Sequence, residues 1–401
     1  MVGLDIGTSK IACVVGECMP DGQIDIIGIG TNPSMGLRKG VVVNIESTVE
    51  SIRLAVEEAE LMTGIDIKSV FTGIAGSHIG SINSHGVVRT RSGEVNEDDV
   101  ERVVDASRVK HHEDQKELHL IPQEFIIDNQ DGIREPVGMN GVRLEVKVHI
   151  VTCANSFAQN LEKCCNRCGL EVADLILEQL ASAEAVLQQD EKDIGVALVD
   201  IGGGTTDIAI FHDGAIRHTA VIPVGGNQMT NDLVVGLRTS FREADQLKRK
   251  YGACMVSSVS PEDQIEIPGV GDRPLRTMPR QVMVQMLEPR VEEIFELVKA
   301  ELTRSGYREL LTAGLVLTGG SSLLDGILEL AEEVLDMPVR LGRPQGVGGL
   351  VEVVSSPIYA TAVGLIRYAR DDRTNIQNDR KEKSFLARAW QNFRGWFGDQ
   401  P

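Results

Sequence analysis

No run of 18 apolar residues occurs in the 401-residue chain, so nothing in it reads as a membrane-spanning helix. Basic residues are in deficit: 40 Lys and Arg stand against 59 Asp and Glu, a formal net charge of −19. A surface that tracks phosphate backbones needs a basic face, so nucleic acid is excluded as the main partner. Aromatics are scarce, at 4% with two tryptophans. Seven cysteines show no disulfide framework, and no signal peptide opens the chain. Together these point to a reducing cytoplasm. Cys165-Asn166-Arg167-Cys168 is a lone CxxC beside Cys164, with no second Cys or His pair at zinc spacing. It reads as helix packing rather than metal chemistry. His111 and His112 read as part of a solvated loop. What the chain does have is an ordinary 42% apolar content and a length that fits two to three domains.

The chain is organised around Val199-Asp200-Ile201-Gly202-Gly203-Gly204-Thr205-Thr206-Asp207. An apolar strand pattern precedes the glycines and another follows them. Three glycines between strands weaken the backbone unless N–H groups must approach something closely. An anionic phosphate is the usual reason. Asp200 and Asp207 flank the turn, and carboxylates beside a phosphate call for a cation such as Mg²⁺. Taken alone, the motif also fits a glycine-rich hairpin with two solvated aspartates.

A second copy changes that balance. Gly3-Leu4-Asp5-Ile6-Gly7-Thr8-Ser9-Lys10 leads into another apolar run, again with Asp-Ile-Gly and a nearby Thr. Two such hairpins suggest duplicated lobes facing one ligand. A third turn, Thr318-Gly319-Gly320-Ser321, follows an apolar strand and precedes a helical stretch. In this order the turns resemble the phosphate-1, phosphate-2 and adenosine motifs of the actin, heat-shock-chaperone and sugar-kinase superfamily.

Read in order, residues 1–74 form the first part of a first lobe, and 75–152 a small inserted α/β module. Within that module, Val142, Leu144, Val146, Val148 and Ile150 alternate as a half-buried strand. Residues 153–180 continue the first lobe, 181–224 begin the second lobe, and 225–305 form its small subdomain. Residues 306–345 return to the second lobe, 346–370 close the first lobe with a helix, and 371–383 read as a charged linker. The last stretch, 384–401, changes character. Phe385, Leu386, Ala389, Trp390, Phe393, Trp396 and Phe397 fall on one helical face, accompanied by Arg388 and Arg394. Aromatics with basic residues fit an interfacial membrane helix on anionic lipid. The alternative is a helix that docks on a partner or on the chain's own body.

Nearly the whole chain resembles FtsA, the bacterial actin-like cell-division family. The resemblance rests on the first hairpin, the inserted module, Val199 to Asp207, Leu317 to Ser321 and the tail. One departure is that the first strand opens at Val2, where members often carry several preceding residues. The resemblance implies a two-lobed, duplicated ribonuclease H-like α/β fold with an inserted small α/β subdomain and a C-terminal amphipathic helix. It implies ATP with Mg²⁺ between the lobes. Gly7, Thr8, Ser9, Lys10, Gly202, Gly203, Gly204 and Thr205 would hold phosphates. Gly225, Gly226, Asn227, Asp245, Lys248, Gly319, Gly320 and Ser321 would hold the nucleoside side, although an Asp245–Lys248 pair at i, i+3 also fits a surface ion pair. Asp5, Asp200 and Asp207 would orient Mg²⁺, mostly through water. Hydrolysis would use Asp200 or Glu178, the latter also readable as a helix N-terminal carboxylate. No strong general base is evident, so at most a slow ATPase is expected.

The expected partners are FtsZ, copies of the same chain, other divisome membrane proteins and anionic lipid, at the cytoplasmic face of the inner membrane by the septum. FtsZ would dock on the small subdomain near Arg290 and Glu293. Two alternatives share the fold: a pilus-assembly ATP-binding protein and a small-molecule kinase, neither of which accounts for the aromatic tail.

Overall fold

The computed structural model describes residues 1–109, 114–269, 271 and 274–378, with the backbone alone for 371–378. His111, His112 and the aromatic tail lie outside the described residues.

The chain opens with β1 (Val2–Ile6) and β2 (Lys10–Cys18), paired antiparallel with Leu4 opposite Cys13; β3 (Ile24–Pro33) adds to β2. A short ladder of β4 (Leu37–Arg38) and β5 (Val41–Val42) precedes α1 (Ile45–Thr63). The Asn44 side chain caps α1 by accepting from the Ser47 N–H. β6 (Ser69–Ile74) then returns parallel to β1.

The inserted module follows as β7 (Gly80–Arg89), α2 (Glu97–Ala106), β8 (Gln115–Ile127), β9 (Gln130–Ile133) and β10 (Arg143–Ala154), an antiparallel sheet in the order β7-β10-β8-β9. Leu144, Val146, Val148 and Ile150 of β10 are fully buried and share a core with Val100, Val103 and Val104 of α2. β7 lies in a Ser- and Gly-rich stretch with no apolar alternation, and only its Gly86 is buried. Its strand form comes from pairing with β10 along the whole of its own length, a tertiary effect.

The first lobe resumes with α3 (Asn155–Arg167), β11 (Glu171–Leu177) and α4 (Glu178–Val186). The second lobe comprises α5 (Gln189–Ile194), β12 (Val196–Ile201), β13 (Thr206–His212) and β14 (Ala215–Ile222). Next come α6 (Gly226–Leu237), α7 (Phe241–Tyr251), β15 (Gln264–Ile267), β16 (Arg276–Pro279) and α8 (Arg280–Ser305). β17 (Leu315–Thr318), α9 (Ile327–Leu335) and β18 (Val339–Leu341) complete its sheet, ordered β14-β13-β12-β17-β18. The chain then returns to the first lobe through β19 (Gly348–Gly349), α10 (Val351–Val354) and α11 (Ala360–Asn378). That lobe's sheet runs β11-β6-β1-β2-β3-β19.

Two sequence boundaries differ. The expected linker from 371 is helical to Asn378, because α11 is already nucleated by its buried first turns and extending a helix is cheap. The boundary at 180/181 falls inside α4, which packs against β11 and β6 of one lobe and β12 and β13 of the other.

The inserted sheet also grips the second lobe. β14 is an edge strand, and side chains of the insert bind its carbonyls. Ser81 Oγ donates to Thr219 O (3.1 Å), Asn83 Nδ2 to Arg217 O (3.1 Å) and Gln123 Nε2 to Ile216 O (2.7 Å). His149 bridges Asn83 Oδ1 (2.7 Å) and Thr219 Oγ1 (3.0 Å). Because Asn83 is oriented by its own donation, His149 Nδ1 donates and Nε2 accepts.

Burial pushes His149 down to about 3 and His119 down to about 4 from an ordinary 6.5. In the window between those values and 6.5 the unfolded chain binds protons that the folded one refuses. Stability is therefore fully present above pH 6.5 and is lost as pH falls below it. Each such histidine contributes up to about 1.4 kcal/mol per pH unit. Urea unfolding at pH 7.5 and 5.5 should show a loss in the wild type that is smaller in His149→Gln. Equal losses would mean that His149 is not held neutral.

Candidate functional site

The β1–β2 turn, the β12–β13 turn and the turn after β17 converge on one cleft of about 360 Å³. Each of the turns sits at the end of a buried strand: Leu4, Val199 and Leu317 are all fully buried. Of the residues singled out from sequence, Asp5, Gly7, Thr8, Ser9, Lys10, Glu178, Asp200, Gly202, Gly203, Gly204, Thr205, Asp207, Gly226, Asn227, Asp245, Lys248, Gly319, Gly320 and Ser321 all line it. Gly225 does not. It sits behind the wall, where an added Cβ would lie 2.8 Å from Gly202 O and 2.9 Å from Thr205 O.

The two hairpin turns touch across the cleft floor. A Cβ on Gly203 would overlap Ser9 Oγ, and one on Gly204 would lie 2.5 Å from Thr8 Oγ1. Only glycine permits this approach. The Gly226 N–H bonds Gly202 O (2.9 Å) and the Asn227 N–H bonds Gly203 O (2.7 Å), so the start of α6 braces the turn. The N–H groups of Thr8, Ser9, Gly203 and Gly204 have no partner among the described residues. Unpaired donors on two facing turns suit an anionic ligand.

Carboxyl groups crowd the same floor. Asp200 and Asp207 lie directly opposite each other across the β12–β13 ladder. Burial pushes Asp207 up to about 8, with Asp200 adding to it and the Thr205 hydroxyl opposing. Burial likewise lifts Asp200 to about 6, opposed first by a hydrogen bond from Ser182. Glu178 is raised well above its usual range by burial and then by Asp5, Asp207 and Asp200. Lys10 offsets Asp5 and Asp200, its Nζ 3.9 Å from Asp5 and 2.6 Å from Ile358 O. Asp207 Oδ1 is buried with no hydrogen-bond partner among the described residues. An orphaned carboxyl oxygen among buried acids fits a cation. Among the described residues no three acid, His or Cys side chains converge as direct metal ligands. The donor set therefore fits a hydrated ion rather than a stripped one.

On the other side of the cleft, Lys248 is no surface ion. Its Nζ reaches Asp245 Oδ1 (3.0 Å), Gly226 O (2.9 Å) and Thr230 Oγ1 (2.7 Å). All three of its donors are thus engaged, and it positions Asp245 and the α6 start rather than facing outward. Glu184 is turned away into an ion pair with Lys192 (2.6 Å). Sequence reasoning missed Ile6, Gly40, Arg249, Leu323, Leu324, Pro357, Ile358 and Thr361 as lining residues. Arg249 stood beside Lys248, but single hydroxyl and apolar residues carry no signal of their own. Outside the cleft, Arg290 bridges Asp232 (2.7 Å) and Glu293, tying α6 to α8.

Comparison with known proteins now bears on this site. The family profile described as "Cell division protein FtsA" matches residues 197–364, and "SHS2 domain inserted in FTSA" matches 76–152. The chain is 58% identical to cell division protein FtsA of Pseudomonas aeruginosa over 369 residues, 92% of this chain and 88% of that protein. The chain belongs to the FtsA family. It is 43% identical to FtsA of Escherichia coli K12 over 94% of this chain and 91% of the relative. Borreliella burgdorferi FtsA gives 39% over 99% and 98% of the two chains. Among solved structures, a chain of the PilM–PilN type IV pilus biogenesis complex superposes with TM-score 0.66 at 17% identity, covering 91% of this chain and 97% of that one. MreB5 of Spiroplasma citri bound to AMPPNP gives 0.58 at 15% identity, covering 94% and 98%. At those identities the likeness is one of fold, and the fold is actin-like. This FtsA-family chain is therefore an actin-like cell-division protein, and none of its described helices is long and apolar enough to cross a membrane.

The turn contact is open to a stability test. Gly203→Ala should cost about 1–3 kcal/mol by forcing the turns apart. Gly320→Ala, whose added Cβ would meet its nearest neighbour at an ordinary 3.6 Å, should stay within about 0.5 kcal/mol. Ser9→Gly combined with Gly203→Ala should recover most of the loss, since Ser9 supplies the clashing atoms. Thermal unfolding reads all three; equal midpoints for Gly203→Ala and Gly320→Ala would show that the turns do not touch.

Proposed function

We propose that the cleft binds ATP with a hydrated Mg²⁺, and that the chain polymerises with copies of itself and tethers FtsZ to the inner face of the cytoplasmic membrane at the septum, where other divisome membrane proteins are recruited. The observation that carries the nucleotide reading is the orphaned Asp207 Oδ1 beside two turns of unpaired N–H groups. Mg²⁺ would supply charge to neutralise phosphate oxygens and the buried acids together. Asp5, Asp200 and Asp207 would hold it through water. Thr8, Ser9, Gly203 and Gly204 would donate to phosphate, with Lys10 beside them, and Asp245 would face the nucleoside. Burial and the neighbouring acids raise Glu178 well above the usual carboxylate range, which disfavours the carboxylate that would act as a base until a cation stands beside it. Turnover is therefore slow, and ATP acts mainly as a conformational ligand. Titration calorimetry with Mg²⁺-ATP should show at least about tenfold weaker binding for Asp200→Ala and for Gly203→Val. Unchanged affinity in both would overturn the site.

Membrane attachment rests on the sequence of the tail. One fully buried large apolar side chain contributes roughly 1.5–3 kcal/mol, and an interfacial helix buries its face only in part. Residues 380–401 carry five Lys or Arg against two Asp or Glu. Anionic lipid adds up to about 1 kcal/mol per basic residue near the surface. One helix then binds reversibly, and a polymer presenting many binds tightly through avidity. FtsZ is assigned to the small subdomain; there Glu293 is half-exposed while Arg290 is committed to Asp232. Trp390→Glu should release the protein from anionic vesicles in co-sedimentation and leave ATP affinity unchanged. If the variant pellets with vesicles as the wild type does, the tail is not the anchor and instead docks on protein.

A further inference from the structure

Helix α4, which packs against the sheets of both lobes, and helix α11, which packs on the first-lobe sheet, come together where a Cβ on Gly364 would overlap the Ala181 carbonyl oxygen. One residue on from Ala181 and one turn back from Gly364 stand Ser182 and Thr361. Ser182 is fully buried, and Thr361 is 7% exposed. Ser182 Oγ lies 2.8 Å from Asp200 Oδ2 and 3.0 Å from Thr361 Oγ1. A serine has one proton to give. It goes to the carboxylate, so the second contact is donated by Thr361. The result is a chain from Thr361 through Ser182 to Asp200 that crosses from α11 to α4 to β12.

These hydroxyls do not behave as helix hydroxyls usually do. In α1, Thr48, Ser51 and Thr63 each donate to the carbonyl four residues back. That local bond is the default for a Ser or Thr inside a helix. Ser182 instead reaches out of its helix to a carboxylate on another element. The opposite oxygen, Asp200 Oδ1, faces Gly319, where an added Cβ would overlap it. The carboxylate is thus held from both sides, by a hydroxyl on one oxygen and a side-chain-free backbone against the other. Lys10, on the first-lobe turn, is anchored to the same approach to α11 through Ile358 O.

We infer that Ser182 and Thr361 are positioning residues: they fix the Asp200 carboxylate at the crossing of α4 and α11, and the Mg²⁺-dependent part of nucleotide affinity depends on them. The inference rests on the ATP reading of the cleft and adds to it the means by which an ion held near Asp200 is felt by α4, which packs against both sheets, and by α11. A charge-assisted hydrogen bond to a carboxylate is among the stronger ones available inside a protein, and chained hydroxyls reinforce each other.

The test is titration calorimetry of the full chain with ATP, once with Mg²⁺ and once with EDTA. Ser182→Ala and Thr361→Val should each weaken binding about tenfold with Mg²⁺ and leave the EDTA value at that of the wild type. Thr361→Ser keeps the hydroxyl and should restore the Mg²⁺ value. Thermal unfolding of each variant without ligand checks that the fold survives. Equal losses with and without Mg²⁺ would make the pair mere packing, and no loss in either condition would remove it from the site; both overturn the inference while leaving the cleft as the ATP site. A wild-type chain that binds no ATP overturns both readings.

Discussion

Two glycine turns from opposite lobes touch on the floor of the cleft, and the rest of the molecule is arranged to keep them there. Each turn ends a hairpin whose strands are buried, so neither can shift without moving a core. Gly203 and Gly204 allow the contact, Ser9 and Thr8 complete it, and the first N–H groups of α6 brace it from behind. The geometry is electrostatically unfavourable on its own. Antiparallel register places Asp200 opposite Asp207, and burial raises both carboxyl groups above their usual range, with Asp200 adding to the rise at Asp207. The floor is thus poised: a cation held there would favour the ionised form of both acids.

That poise is shared between lobes through few elements. α4 packs against both sheets, and α11 starts beside the cleft and runs back over β1 and β2. Residues near their crossing have little slack, since Gly364 lies against the backbone of α4.

Much of this was legible in the sequence because it is carried by local pattern. The hairpins announce themselves as apolar runs around Asp-Ile-Gly, and the repetition of that motif gives the two lobes. β10 shows its alternation openly. β7 does not, because its form is imposed by β10 across ten paired positions. The helical course of 371–378 was hidden for a related reason: charged residues extend a helix whose start is fixed by burial upstream. In the cleft, glycines and acids carried a signal, whereas Ser182 and Thr361 did not, since a lone hydroxyl has no periodicity. Lys248 was found by its spacing alone. Its spacing from Asp245 was informative, but only packing reveals that the whole ammonium is enclosed.

The grip of the inserted module on β14 has a consequence for the second lobe as a freestanding object. An outermost strand with open carbonyls is a template on which another chain can lay itself down. Here amide and hydroxyl side chains from a foreign sheet occupy those carbonyls in place of a neighbouring strand, closing the lobe without extending it. A chain from which the insert had been cut away would present a bare, adhesive margin, and its second lobe would be prone to strand-to-strand clumping. The insert is for that reason a shield as well as a module, and the lobe it covers owes part of its solubility to residues more than a hundred positions upstream.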